Sequence, residues 1–70
     1  MIIKYFPDTD TLFIEFSERA VSETVDFNED TLIDLDEGGN VVALTIEHAR
    51  RKVDLTDFSF QQVVALETGD

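Results

Sequence analysis

TLIDLDEGGNVVALTIEHA, residues Thr31 to Ala49, reads as two strands joined by an acidic turn. On the near side Leu32 and Ile33 open an apolar run, and Leu35 stands between Asp34 and Asp36. On the far side Val41, Val42, Ala43, Leu44 and Ile46 are almost unbroken, as in a strand at the centre of a sheet. Glu37-Gly38-Gly39-Asn40 lies between them, and glycine and asparagine tolerate the positive φ that tight turns require. The spacing predicts strands over about 31–36 and 41–47, paired as the central hairpin.

Upstream, Ile2 to Phe6 is rich in β formers and is followed by Pro7-Asp8-Thr9-Asp10-Thr11, a turn in which proline cannot donate a ladder hydrogen bond. Leu12 to Phe16 then alternates with period two, with Leu12, Ile14 and Phe16 on one face and Phe13 and Glu15 on the other. These segments predict a second hairpin. Phe6 and Phe13 leave apolar surface on its second face, to be hidden by a covering segment or another subunit. Ser17 to Ala20 is a polar connection. Val21 to Phe27 alternates again and predicts an edge strand, closed by a turn at Asn28-Glu29-Asp30.

After Ile46, Glu47 to Lys52 predicts one helical turn, and Leu55 to Phe58 a short 3₁₀ turn. Residues 56–66 are open between two readings: Phe58, Phe60, Val64 and Leu66 alternate as a strand, whereas Phe60, Val63 and Val64 share a helical face. Their phenylalanine and valine content favours the strand. Thr68-Gly69-Asp70 is expected to fray. The fold class expected is α+β, mostly β: a curled antiparallel β-meander of about five strands, with one short helical segment after Ile46, in a single domain over residues 1–70.

A chain of 70 residues buries a smaller fraction of its surface than a larger one, and ordering it costs about 1.5 kcal/mol per residue. There is no cysteine for disulfides and a single histidine, so a Cys/His structural zinc site is excluded. Self-association is the remaining common means of stabilising so small a domain, and a homodimer or larger assembly is expected. No run approaches the roughly 20 apolar residues of a membrane span, and MIIKYFPD lacks a signal peptide's apolar core. A cytoplasmic protein without membrane association is expected.

Sixteen acids face five bases, a net charge of −11. Residues 1–47 hold twelve of the acids against Lys4 and Arg19, a net of −10. Such a field repels phosphate backbones, which argues against nucleic acid and for a basic protein partner or loosely held divalent cations. The same acids also keep a small β protein soluble and its sheet edges unpaired.

The candidate chemistry is sparse. Asp34-x-Asp36 before Gly38-Gly39-Asn40 resembles the start of a calcium loop, but the fifth position is Gly38 and the twelfth is Thr45 where a bidentate glutamate is required. Asp8 and Asp10 could share a cation or act as a carboxylate pair, although turn aspartates ordinarily cap nearby backbone amides. His48 could be combined with Ser17, Ser22 or Ser59, yet none of these serines has the glycines of a nucleophile elbow. His48, Arg50 and Arg51 form the one basic spot, either meeting the acidic face of a second subunit or lying solvated on a helical turn. No catalytic residue, cofactor-binding residue or metal ligand is assigned, and no enzyme is expected.

The stretch Tyr5-Phe6-Pro7-Asp8-Thr9-Asp10-Thr11-Leu12-Phe13-Ile14, together with Leu35-Asp36 through Gly39, Val41 to Ile46 and Ala49, resembles the domain of unknown function 2283 family of small prokaryotic proteins, also called YuzE-like. The resemblance covers about the first two-thirds of the chain. Phe6 stands where the family usually has an acid, Ala43 where it often has glycine, Thr45 glutamate and Arg50 serine. The family has no established function. Some members look like the acidic partner of a small toxin, so the resemblance implies an antitoxin-like interaction module. The alternative is a small ligand- or cation-binding protein or enzyme that uses the carboxylates of Asp8, Asp10, Asp34 and Asp36.

Overall fold

The computed structural model describes residues 1–64. Five strands, β1 (Ile2–Phe6), β2 (Thr11–Glu15), β3 (Glu23–Asn28), β4 (Thr31–Leu35) and β5 (Val41–Glu47), form one antiparallel sheet, followed by a single helical turn, α1 (Ala49–Lys52). The expected α+β, mostly β meander with a helical turn after Ile46 is therefore what the chain forms.

The strand order is β1-β2-β5-β4-β3. β3, β4 and β5 are a meander, and β5 then inserts beside β2 of the first hairpin. The most apolar strand is thus paired on both sides, and Val42 and Ala43 are buried. The connection from β2 to β3 crosses the end of β5, where the Phe16 amide donates to the Val42 carbonyl at 2.7 Å and the Ser22 amide to that of Leu35 at 2.8 Å. The edges fall to β1, which carries Lys4, and to β3, exposed at every residue and carrying Glu23 and Asp26. Charged side chains at an edge discourage pairing with other strands.

Register places side chains in rows across the sheet. Ile3, Ile14, Leu44, Ile33 and Val25 are successive cross-strand partners, an aliphatic row spanning all five strands. Tyr5, Leu12, Ile46 and Thr31 form the next row on the same face. The opposite face presents Glu15, Ala43, Asp34 and Thr24 in one row and Lys4, Phe13, Thr45, Leu32 and Asp26 in another. Phe13 therefore stands among polar neighbours, while Phe6 remains exposed at the sheet corner.

Beyond α1 the structure departs from expectation. Leu55 to Phe58 is not a 3₁₀ turn; the bend there is an aspartate turn, in which Asp54 Oδ1 accepts from the Thr56 amide at 3.0 Å and its hydroxyl at 2.7 Å. Residues 58–64 are neither strand nor helix. Phenylalanine and valine favour β structure by packing on a pleated surface, and this segment passes the β1 edge without pairing with it. Its Phe58, Phe60, Val63 and Val64 are 67%, 74%, 84% and 85% exposed. The remainder of the 56–66 reading, and the expected fraying of Thr68-Gly69-Asp70, lie outside the described residues.

Two substitutions test this frame. Leu12 is buried between Tyr5 and Ile46 in its row, so Leu12→Ala is expected to cost about 2 to 3 kcal/mol in urea unfolding. Gly39 has φ 81° and open space where a Cβ would stand. Gly39→Ala should therefore cost about 1 kcal/mol through backbone strain alone.

Candidate functional site

Three turn aspartates organise the ends of the sheet. The pairing of Thr11 with Glu47 sets Asp10 beside the exit of β5 on one side, and the pairing of Thr31 with Ile46 sets Asp30 on the other. The Asp10 carbonyl accepts the Ala49 amide at 2.9 Å, and the Asp30 carbonyl accepts the Glu47 amide at 2.8 Å. Their carboxylates then hold α1. Asp10 Oδ1 accepts from the Tyr5 hydroxyl at 2.7 Å and the Arg50 amide at 3.1 Å, with the Arg50 guanidinium 3.9 Å away and 6.0 Å over the Tyr5 ring. Asp30 accepts from His48 Nδ1 at 2.9 Å and lies 3.2 Å from Lys52 Nζ.

The chain reverses between these clamps at His48, whose φ of 55° and ψ of 44° are left-handed, and Asp10 is also left-handed at φ 55°. Ala49, fully buried, begins the helical turn. Of the expected basic spot, His48 and Arg50 bind aspartates of their own chain, as does Lys52, whereas Arg51 has no ion pair among the described residues. The expectation of a merely solvated helical turn is corrected by these contacts.

At the other end of the sheet, Asp36 Oδ1 accepts from the Gly38 amide at 2.9 Å, the Asn40 amide at 2.8 Å and the Asn40 side chain at 3.2 Å; its Oδ2 accepts from Asn40 Nδ2 at 3.1 Å and Arg19 Nη1 at 3.1 Å. Asp34 instead accepts from the Thr24 hydroxyl at 2.7 Å across the strand pair. The Asp34/Asp36 pair is therefore split between the sheet face and the turn. No three of His, Cys, Asp and Glu converge as metal ligands among the described residues.

Asp8 and Asp10 do not act together in these contacts, since Asp10 is engaged with Tyr5 and Arg50. Asp10 caps an amide forty positions away and not one of its own turn. His48 is bonded to Asp30, while Ser17 Oγ accepts from the Arg19 amide and Ser59 Oγ from Gln61. The serine–histidine combinations are not assembled by these bonds. Asp30 and Tyr5 were given no role by sequence reasoning. The signal that finds them is strand register, because β5 must leave the sheet between the two flanking turns.

The widest concavity, about 740 Å³, lies beside α1 and is lined by Tyr5, Arg50, Arg51, Lys52 and Val53 to Thr56, and each face of the sheet carries a smaller one. On the aliphatic face a groove of about 370 Å³ is lined by Ile3, Tyr5, Leu12, Ile14, Leu55 and Phe58, among others. On the polar face a shallow recess of about 360 Å³ brings together Phe13, Glu15, Glu18 and Asp34, with Arg19 at its rim. Arg19 is engaged by Asp36. Glu15, Glu18 and Asp34 have no ion pair among the described residues.

The clamp carboxylates are held below the ordinary carboxylate range. The causes are Tyr5 hydroxyl donation at Asp10, His48 and then Lys52 at Asp30, and chiefly the Asn40 amide at Asp36. A carboxylate with a depressed folded pKa contributes stability above its unfolded value, near 3.9, and that contribution disappears as pH falls through the folded pKa. Falling net charge opposes this on the way down, because self-repulsion weakens toward the isoelectric point near 4.1. The urea midpoint should therefore hold or rise slightly between pH 7 and 5 and drop below about pH 4. Asp10→Asn and Asp36→Asn should each lower the neutral-pH midpoint and flatten the acid limb. Tyr5 is shifted upward by its bond to Asp10, so a smaller loss is expected as pH rises beyond the usual tyrosine range.

No curated protein and no solved structure matches the chain. A family model, Protein of unknown function (DUF2283), matches residues 2–50, the span from β1 through the Asp10 and Asp30 clamps to the start of α1, and the chain belongs to that family.

Proposed function

We propose that the protein is a non-enzymatic protein-interaction module whose acidic sheet face engages a basic protein partner, as an antitoxin-like protein would. One observation carries this reading: Glu15, Glu18 and Asp34 line an open recess with Phe13 on the polar face, where Arg19 at the recess is paired with Asp36 and Lys4 across from Phe13 is the one base on that face without an ion pair among the described residues. Arg19 is held by Asp36, Arg50 by Asp10, and His48 and Lys52 by Asp30. Asp26 and Glu47 extend the acidic surface along the same face. An aromatic ring flanked by carboxylates accommodates a lysine or arginine side chain by charge pairing and by contact of the cation with the ring.

Such binding depends on screened charge and weakens with salt. Immobilised protein incubated with a lysate of its native cells should retain basic proteins at low ionic strength. Glu15→Gln combined with Asp34→Asn should reduce the retained amount about three- to tenfold, as expected for the loss of two charge contacts at a partly exposed surface. Recovery of nothing beyond the chain itself, or equal retention by the double variant, would overturn the reading.

A further inference from the structure

We infer that the slot between the β1-β2 hairpin and the segment after α1 binds a long-chain carboxylate, its alkyl tail in the apolar groove and its head group at Arg50 and Arg51. The slot shares no residue with the acidic recess. Two concavities run into one another there. The groove of about 370 Å³ has the sheet as its floor, through Ile3, Tyr5, Leu12 and Ile14, and Val53, Leu55 and Phe58 as its opposite wall. Tyr5, Val53, Asp54 and Leu55 also line the cavity of about 740 Å³ beside α1, so the groove opens directly into a space bordered by Arg50, Arg51 and Lys52. The Arg50 guanidinium stands 6.0 Å from the centre of the Tyr5 ring and marks the junction. An occupant of both spaces is apolar at one end and polar at the other.

Charge decides the polar end. Lys52 is turned to Asp30 at 3.2 Å, whereas Arg50 approaches Asp10 only through Nε at 3.9 Å. Arg51 is exposed and has no ion pair among the described residues. Asp54 is the one carboxylate lining either space, and its Oδ1 already accepts from the Thr56 amide at 3.0 Å and hydroxyl at 2.7 Å. Two guanidinium groups thus border the cavity with one long contact between them, and the guanidinium fork matches a carboxylate. The net charge of −11 opposes any anion in proportion to its charge, which favours a head group with a single negative charge over a phosphate dianion. The same field disfavours approach to an anionic membrane surface. Beyond Ile3 and Phe58 the apolar lining continues to Met1 and Phe60, about 13 Å along β1 from Tyr5. That span suits a tail of the length of decanoate or dodecanoate.

The test titrates the full chain with decanoate and with dodecanoate below their micelle-forming concentrations, following backbone amides by heteronuclear NMR. Saturable shifts at Tyr5, Ile14, Arg51 and Leu55 are expected. Dodecanoate should bind about four- to tenfold tighter than decanoate, as two further methylenes enter a partly enclosed groove. Arg51→Glu should weaken dodecanoate about three- to tenfold and keep the ratio between the two tails, because it alters the head site alone. Phe58→Ser should instead reduce that ratio. Both side chains are exposed, so far-ultraviolet circular dichroism should be unchanged in either variant. Phosphatidylglycerol vesicles should not carry the chain down on sedimentation. Absence of saturable shifts at millimolar dodecanoate would overturn the inference, as would equal binding of the two tails or indifference to Arg51→Glu. Co-sedimentation with the vesicles would overturn it in favour of a membrane surface. None of these measurements involves a basic protein partner, so failure here is distinct from failure of the acidic-face reading.

Discussion

A single sheet has two faces, and a chain of seventy residues contributes little beyond the strands themselves. Here the strands take up most of the residues before position 48, and the only helix among the described residues is one turn long. No second layer is available within that span to close over the aliphatic row from Ile3 to Val25. The buried apolar side chains are correspondingly few and small: Leu12, Val42, Ala43 and Ala49. Stability must therefore come from edge-to-edge pairing across β5 and from the groups that fix the sheet's ends, as well as from any contact made outside the chain.

The ends are fixed by carboxylates used as acceptors, for backbone amides at Asp10 and Asp36 and for the His48 and Lys52 side chains at Asp30. Asp10 and Asp30 stand on turns that belong to different halves of the sheet, the β1-β2 hairpin and the β3-β4 hairpin, and both bind the chain as it leaves β5. The two halves are thereby joined twice, through β5 itself and through α1. The left-handed conformation of His48 follows from this geometry, since the chain must turn sharply to bring the Ala49 and Arg50 amides to Asp10 while the imidazole reaches Asp30. Backbone strain of about 1 kcal/mol at such a residue is sustained only where surrounding contacts hold it. Acidic residues that look like surplus charge in the composition thus act as structural acceptors at three turns.

How much of this was legible in the sequence depended on whether the signal was local. Alternation in Leu12–Phe16, the unbroken run Val41–Ile46 and the glycines of the Asp36 turn are all short-range patterns, and they placed the five strands and the helical turn. Insertion of β5 beside β2 is a long-range choice that no local pattern encodes; burial of Val42 and Ala43 on both faces decides it. The same applies to Asp30, whose partner lies eighteen residues away and becomes visible only once Thr31 is paired with Ile46. For residues 58–64 the β-forming composition was read correctly as apolar but not as strand, because propensity acts through pairing with a neighbouring strand, and this segment passes β1 unpaired.

Charge is divided unequally between the two faces of the sheet. Two polar faces brought together would set Glu15, Asp26, Asp34 and Glu47 of one copy against the same residues of the other, with Lys4 alone to offset them, and like charges at close range are costly. A basic partner, as proposed, would meet the polar face, where pairing replaces repulsion. Because the acidic recess and the aliphatic row lie on opposite faces of one sheet, a partner bound at the recess would leave the aliphatic row uncovered.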